Sequence, residues 1–253
     1  MIKLTIVMPV YNEGERIYRN IIETLTQVER FCPSLRLILV NDGSTDESET
    51  EIRRAMQSDK RVGLITYPDN RGKGYAVRRG MLAARSEYVA FLDADLELPP
   101  HLLNDFMKAV DGDQGSDEPY DIVIGSKMHK DSQVEYPGMR KVMSMGYYIF
   151  MKLLFGLKLK DTQTGIKLFR TEKVRPILKC MRTSRFSFDI EMMAIAEKMG
   201  LRIKEMPVVV NFSRNKDNRS KIKLSSIYEM VRDSFRIRMY ISKRYFLGMG
   251  IKR

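Results

Sequence analysis

The sequence predicts an α/β protein with a mainly parallel central sheet flanked by helices. Short, β-rich apolar runs alternate with helical patterns through the first half, and a polar turn closes each run. The predicted strands are Leu4 to Met8, Leu35 to Val40, Val62 to Thr66, Tyr88 to Leu92 and Asp121 to Ile124. The first helix places Ile17, Ile21, Leu25 and Val28 on one face, with Asn12 and Glu15 ahead of it at capping-box spacing. Pro99-Pro100 opens a helix from His101 to Val110. Beyond Gly125 helical patterns dominate. A polar turn at Asp161 leads into a short strand ending at Phe169, Arg185 to Glu191 leads into a helix from Met192 to Met199, and a final helix runs from Leu224 to about Leu247. Gly112 to Pro119 and Ser213 to Lys223 are polar loops.

A chain of 253 residues with 43% hydrophobic content buries a full core, as one large domain or as one domain with an appendage, and composition excludes disorder. No run of about 18 uncharged apolar residues exists, which argues against an ordinary membrane-spanning helix; Met143 to Leu159, the nearest approach, is broken by Lys152 and Lys158. Two cysteines, Cys32 and Cys180, and no secretory segment before Met1-Ile-Lys-Leu lead us to expect a reduced, cytoplasmic setting. The net charge of +12 is concentrated at one end: residues 202 to 253 carry 14 Lys and Arg against 4 Asp and Glu, while residues 1 to 100 carry 14 against 15. Nucleic acid, an anionic bilayer and a phosphorylated substrate all fit such a patch.

In parallel sheets, ligands gather at the carboxyl ends of the strands. Tyr11-Asn12-Glu13, Asn41-Asp42-Gly43, Asp69-Asn70-Arg71-Gly72 and Asp93-Ala-Asp95 all fall there. An apolar strand ending in two carboxylates one residue apart suits a divalent cation, because the carboxylates repel one another unless a hard ion lies among them. Asp93 and Asp95 are the candidate ligands, with Glu97 a third; an acidic β-turn is the competing explanation. Asp42 suits hydrogen bonding to a base or ribose, or a strand-to-helix turn. Asn70 to Gly80 combines glycines with Lys73 and Arg71 at a helix start, an arrangement suited to anions. Asp189 reads as a sugar contact or an N-cap, and Glu191 as an exposed first-turn charge.

Taken together, Val7-Met-Pro9-Val-Tyr11-Asn12-Glu13, Val40-Asn-Asp42-Gly-Ser-Thr-Asp46, Asn70-Arg-Gly-Lys73-Gly, Asp93-Ala-Asp95, Gly125-Ser-Lys127, Asp161-Thr-Gln-Thr-Gly-Ile-Lys-Leu-Phe169 and Phe188-Asp189-Ile-Glu191 resemble, in order and spacing, the family 2 glycosyltransferases of GT-A fold. Among them the chain looks most like the polyprenyl (dolichyl) phosphate glycosyltransferases, glucosyl or mannosyl. The resemblance implies a catalytic domain over residues 1 to 212 and a basic acceptor loop with an amphipathic helix over 213 to 253. It implies Mg2+ or Mn2+ on Asp93, Asp95 and Glu97, and a UDP- or GDP-linked sugar bound by Pro9, Tyr11, Glu13, Asp42, Lys73, Asp93 and Asp95. Asp93, Asp95 and Asp189 would be the catalytic group. The lipid phosphate would be met by Lys127, Arg140, Ser144, Arg214, Ser220 and Lys221. Position 127 is Lys where the family usually has Arg, which loses a bidentate grip, and Asn218 replaces a frequent Gly, which Asn tolerates in a left-handed turn.

On this resemblance Met143 to Leu157, with Tyr147, Tyr148, Phe150, Met151 and Phe155, is an interfacial helix, with a core helix as the alternative. The expected setting is the cytoplasmic face of a membrane, held peripherally, with no nucleic-acid partner. Rival readings are a glycosyltransferase with another acceptor, an Asp-x-Asp phosphatase, and a basic nucleic-acid-binding protein. Because Arg214 belongs to the cationic loop and not to the strand-end motifs, Arg214→Ala should raise the KM for lipid phosphate and leave donor affinity nearly unchanged. Steady-state kinetics with each substrate varied in turn checks this; equal weakening of both would contradict it.

Overall fold

The computed structural model describes residues 2–112, 119–134, 138–185, 187–211 and 224–246. Seven strands form one sheet: β1 Leu4–Val10, β2 Leu35–Asp42, β3 Val62–Tyr67, β4 Tyr88–Leu92, β5 Ile122–Ser126, β6 Ile166–Arg170 and β7 Ile203–Pro207. Their spatial order is β3-β2-β1-β4-β6-β5-β7. β6 pairs antiparallel with both β4 and β5, while every other pairing is parallel. The expected mainly parallel sheet is present, with one reversed strand near its middle.

The helices are α1 Arg16–Glu29, α2 Ser48–Ser58, α3 Lys73–Ala83, α4 Leu102–Asp111, α5 Gly138–Phe155, α6 Thr171–Cys180, α7 Phe188–Lys198 and α8 Leu224–Phe246. Side chains alternate across each strand, so the sheet feeds two apolar layers. Leu4, Ile6, Met8, Tyr88, Ala90 and Leu92 pack with α1, α2 and α4 on one face. Val7, Val40, Val89, Phe91 and Phe169 pack with α3, α6, α7 and α8 on the other. The expected apolar face of α1 is confirmed, since Ile17, Ile21, Leu25 and Val28 are all buried.

Three expectations are corrected. The capping box ahead of α1 does not form: Glu15 is the N-cap and makes no side-chain cap bond. Asn12 instead adopts a left-handed φ of 54°. It accepts the Thr45 N–H at 2.9 Å through Oδ1 and donates its own N–H to Ser44 Oγ at 3.0 Å. Second, the sequence pattern missed β7. It is an edge strand whose five residues are all only half-buried, so it carries no continuous apolar run. Third, the described aromatics of α5, Tyr148, Phe150 and Phe155, are half-buried and not exposed; the Tyr147 side chain lies outside the described residues. Met151 is buried with Leu157 and Ile190, and Phe150 and Phe155 pack against that cluster. Among the described side chains of α5, Ile149 and Leu153 are the exposed large apolar ones. Phe150 also meets Phe235 of α8 edge-on at 5.9 Å.

Gly80 lets α3 lie flat on the sheet. A Cβ there would overlap Val7 Cγ1 and stand 2.9 Å from Val40 Cγ2, and both valines are stiff and fully buried. Gly80→Val should therefore cost about 1–3 kcal/mol by overpacking, lowering Tm by about 2–12 °C for a domain of this size. Unchanged thermal unfolding would contradict this packing.

Candidate active site

The parallel direction of β1 to β4 delivers four loops to one edge, and the reversed β6 brings its N-terminal turn to the same edge. Pro9 sits in β1 beyond the last β4 partner, Val7, so its missing N–H breaks no bond on that side. Tyr11 follows, 49% exposed. The next residues are stitched to the loop after β2. Glu13 N–H donates to Ser48 Oγ at 2.9 Å, and Gly14 N–H reaches Asp46 Oδ2 at 2.8 Å. Burial acts to raise the Asp46 pKa, but the bonds from Ser48 and Gly14 outweigh it and hold the carboxyl below its ordinary range.

Asp42 is buried, and its two oxygens accept the N–H groups of Arg71 and Gly72, each at 2.8 Å. It thereby fixes the Asn70–Gly74 loop. The two glycines of that loop serve close approach: a Cβ on Gly72 would lie 2.6 Å from Ser184 O, and one on Gly74 would lie 2.5 Å from Phe188 Cβ. Gly72 also takes a φ of 96° that L side chains avoid. Lys73, the first residue of α3, is thus set against the chain leading into α7.

Asp93 stands at the tip of β4. Its N–H donates to Gly165 O at 3.0 Å, its Oδ1 receives Lys73 Nζ at 2.6 Å, and its Oδ2 occupies the space where a Cβ on Gly165 would be. The turn is held from below by Asn20, whose buried amide donates to Ala94 O at 2.7 Å. Asp95 accepts the Glu97 N–H at 3.0 Å. Leu96, buried and at φ 52°, carries the backbone strain of this turn.

The electrostatics of the turn are those of surplus negative charge. Burial, followed by Asp95, pushes the Glu13 carboxyl up to about 7. Burial and then Asp93 push Asp95 up to about 6. Burial works against the Lys73 charge, yet Asp93 and Asp189 outweigh it and raise its pKa. Lys73 thus stands where a cation is wanted, and the donor set of hard carboxylate oxygens fits Mg2+ or Mn2+. Among the described residues no three His, Cys, Asp or Glu side chains gather to hold an ion by themselves. Glu97 is half-buried, and its carbonyl accepts the Asn211 N–H at 2.8 Å.

Asp189 and Glu191 differ from what first-turn positions suggest. Asp189 is not the N-cap of α7, which is Ser187. It is buried and pairs at 2.6 Å with Lys167 Nζ, itself wholly inaccessible. Burial raises the Asp189 pKa, opposed by Lys167 and Lys73. Glu191 is fully buried, not exposed. It accepts the N–H groups of Arg182 and Thr183, each at 2.8 Å, and the Thr183 hydroxyl at 2.6 Å. Lys167 is the site residue that sequence reasoning missed; its signal was a cation set between the apolar residues Ile166 and Leu168 of the strand.

Of the residues expected to meet the acceptor, Lys127 donates its N–H to Asp161 Oδ2 at 2.9 Å, which ties the end of β5 to the turn before β6. Arg140 and Ser144 fall on α5, one turn apart, but their side chains lie outside the described residues, as do Arg214, Ser220 and Lys221 altogether.

The glycosyl transferase family 2 model matches residues 5–178, which span β1 to α6 and include the loops after β1 to β5 and the turn before β6. The chain belongs to that family. It is 30% identical to a dolichyl-phosphate beta-glucosyltransferase of Trichomonas vaginalis over 94% of this chain and 73% of that one. It is 30% identical to that of Dictyostelium discoideum over 98% and 76%, and 27% identical to that of Saccharomyces cerevisiae over 97% and 76%. Among solved structures, glucosyl-3-phosphoglycerate synthase from Mycobacterium tuberculosis with Mn2+, UDP-glucose and phosphoglyceric acid aligns at a TM-score of 0.64 and 18% identity, covering 93% of this chain and 78% of that one. The fold is GT-A and the chain is a glycosyltransferase, so the Asp-x-Asp phosphatase reading is set aside.

Because Gly165 makes room for the Asp93 carboxylate, Gly165→Ala should turn that side chain away from the edge. The expected outcome is loss of transfer by about 2 decades or more, equivalent to about 3 kcal/mol at the transition state, with Tm within a few degrees of wild type. Kinetics alongside thermal denaturation checks it; full activity would contradict the placement of Asp93.

Proposed function

We propose that the chain transfers glucose from UDP-glucose to a polyprenyl or dolichyl monophosphate, with inversion, giving a lipid-phosphate-linked sugar. The observation that carries the donor half is the Asp93–Asp95 turn, a half-buried acidic pair at the carboxyl end of β4 in which an ammonium already sits at 2.6 Å. The acceptor and the sugar are those named for its relatives of about 30% identity. UDP-glucose and Mn2+ are bound in a structure of the same fold.

In this reading Asp93 and Asp95 hold Mg2+ or Mn2+, with Glu97 adjacent. When bound, the cation neutralises charge on the departing diphosphate. Pro9, Tyr11, Glu13 and Asp42 border the nucleoside, Asp42 through the loop that it fixes. Lys73, paired with Asp93 before the cation binds, lends positive charge to the donor pocket. The acceptor phosphate is anionic at pH 7, so its own oxygen attacks the anomeric carbon without a strong general base. Lys127, Arg140, Ser144, Arg214, Ser220 and Lys221 draw this anion toward a like-charged donor. Asp189 keeps the cations on the inner side of the site balanced.

The lipid acceptor places the reaction at a membrane, on its cytoplasmic face in this reading. No described helix is long and apolar enough to cross one. Ile149 and Leu153 of α5 and Phe235 and Met239 of α8 are exposed, Leu153 at 83%. Arg232 and Arg236 stand on either side of Phe235 in the sequence of α8, 45% and 66% exposed. Apolar side chains rimmed by cations suit an anionic bilayer surface.

The test is transfer by the purified chain from a panel of UDP- and GDP-sugars to dolichyl phosphate, with excess EDTA and with Mn2+ restored. UDP-glucose should be used best, activity should vanish with EDTA and return with Mn2+, and the product should be β-linked. Preference for GDP-mannose would overturn the sugar, transfer only to a water-soluble acceptor would overturn the lipid, and EDTA-resistant transfer would overturn the cation. In the same preparation, Leu153→Ser with Phe235→Ser should lower the salt-resistant fraction that sediments with anionic liposomes; unchanged sedimentation would place the membrane face elsewhere.

A further inference from the structure

Two ion pairs share one aromatic ring at the inner wall of the site. Lys73 Nζ lies 2.6 Å from Asp93 Oδ1 and 5.7 Å from the Phe91 ring centroid. Lys167 Nζ lies 2.6 Å from Asp189 Oδ1 and 4.7 Å from the same centroid. The outer pair is 27% and 29% exposed, whereas the inner pair is 0% and 7% exposed. Lys167 is further tied to Thr164 O at 2.8 Å, in the turn whose Gly165 seats Asp93.

The starts of α3 and α7 are pressed together beside these pairs. Tyr75 N–H donates to Ser184 O at 3.0 Å, and Gly74 leaves no room for a Cβ against Phe188. Lys73, next to Gly74, and Asp189, next to Phe188, consequently lie in each other's field. A divalent cation arriving at Asp93 must displace the Lys73 ammonium. An ammonium left half-buried without a counter-charge is costly, and that cost would oppose cation binding.

We propose that Lys73 is the resident counter-cation of Asp93 and passes to Asp189 when a divalent cation takes Asp93, with Lys167 as the positioning residue that holds Asp189 ready to receive it. The inference rests on Asp93 being a cation ligand, as in the function proposed above. It assigns Lys167 a task that a packing residue could not perform: an apolar side chain would fill the space beside Phe91 but would leave Asp189 unanchored. It also explains why the inner pair is buried and the outer pair is not, since only the outer cation has to move.

Titration of the whole chain with Mn2+ alone, following free Mn2+ by electron paramagnetic resonance, tests it. Lys73→Met removes the competitor and should tighten Mn2+ binding about fivefold, the scale of a partly exposed ion pair. The double variant Lys167→Met with Asp189→Asn removes the receiver without changing net charge and without stranding a buried ion. It should weaken Mn2+ binding by a similar factor, and that weakening should disappear when Lys73→Met is added. Weakening of equal size in the Lys73→Met background would mean that the inner pair only shapes the site, and would overturn the transfer. Unchanged or weaker Mn2+ binding by Lys73→Met alone would overturn it as well, and that result decides the matter if melting shows the double variant to be unfolded. Mn2+ binding that is the same in wild type and Asp95→Asn would overturn the cation reading itself, a failure distinct from the other two.

Discussion

The site depends on a crowding of carboxylates at one sheet edge, against which Lys73 stands as a paired cation. Glu13, Asp93 and Asp95 arrive there from two parallel strands, and beside burial their charges raise proton affinity in turn: Asp93 acts on Asp95, and Asp95 on Glu13. Such a cluster persists in a folded protein only if the surrounding backbone over-determines it and a cation offsets it. Lys73 supplies part of that offset at 2.6 Å. The rest of the architecture can be read as the means of holding these charges together.

The reversal of β6 is central to that architecture. An all-parallel sheet would have placed a strand end beside β4; the antiparallel pairing Phe91↔Lys167 instead lays the beginning of β6 there. One short segment therefore delivers three things to the edge: the carbonyl that receives the Asp93 N–H, the glycine that leaves room for its carboxylate, and the buried Lys167. The motif carboxylates divide by task. Asp42, Asp161 and Glu191 accept backbone N–H groups and fix loops. Asp93 and Asp95 lie half-buried at the edge, where they can meet a ligand.

The sequence made the alternating strands, the strand-end loops and the Asp93–Asp95 turn legible because each leaves a local mark: a β-rich apolar run, a glycine turn, a paired charge. What it did not disclose depends on distant partners. Asn12 resembles a helix cap by spacing, but its side chain is taken by Thr45. Glu191 resembles a solvated first-turn charge until the Arg182–Thr183 backbone folds over it. The strand β7 is half-exposed and interrupted by Lys204 and Glu205, so no periodicity announces it. Lys167 was in view as one letter of a motif, and only the pairing of β6 with β4 shows that it is buried against Phe91.

The central claim, that the edge is electrostatically unsatisfied until a cation binds, is tested most directly by thermal unfolding of Asp95→Asn with and without Mn2+ and UDP. Removing one of the mutually repelling charges should leave the cation-free variant at least as stable as wild type, while the stabilisation that Mn2+ with UDP gives wild type should be largely lost. A variant clearly less stable than wild type without the cation, yet stabilised by Mn2+ and UDP to the same extent, would contradict the account.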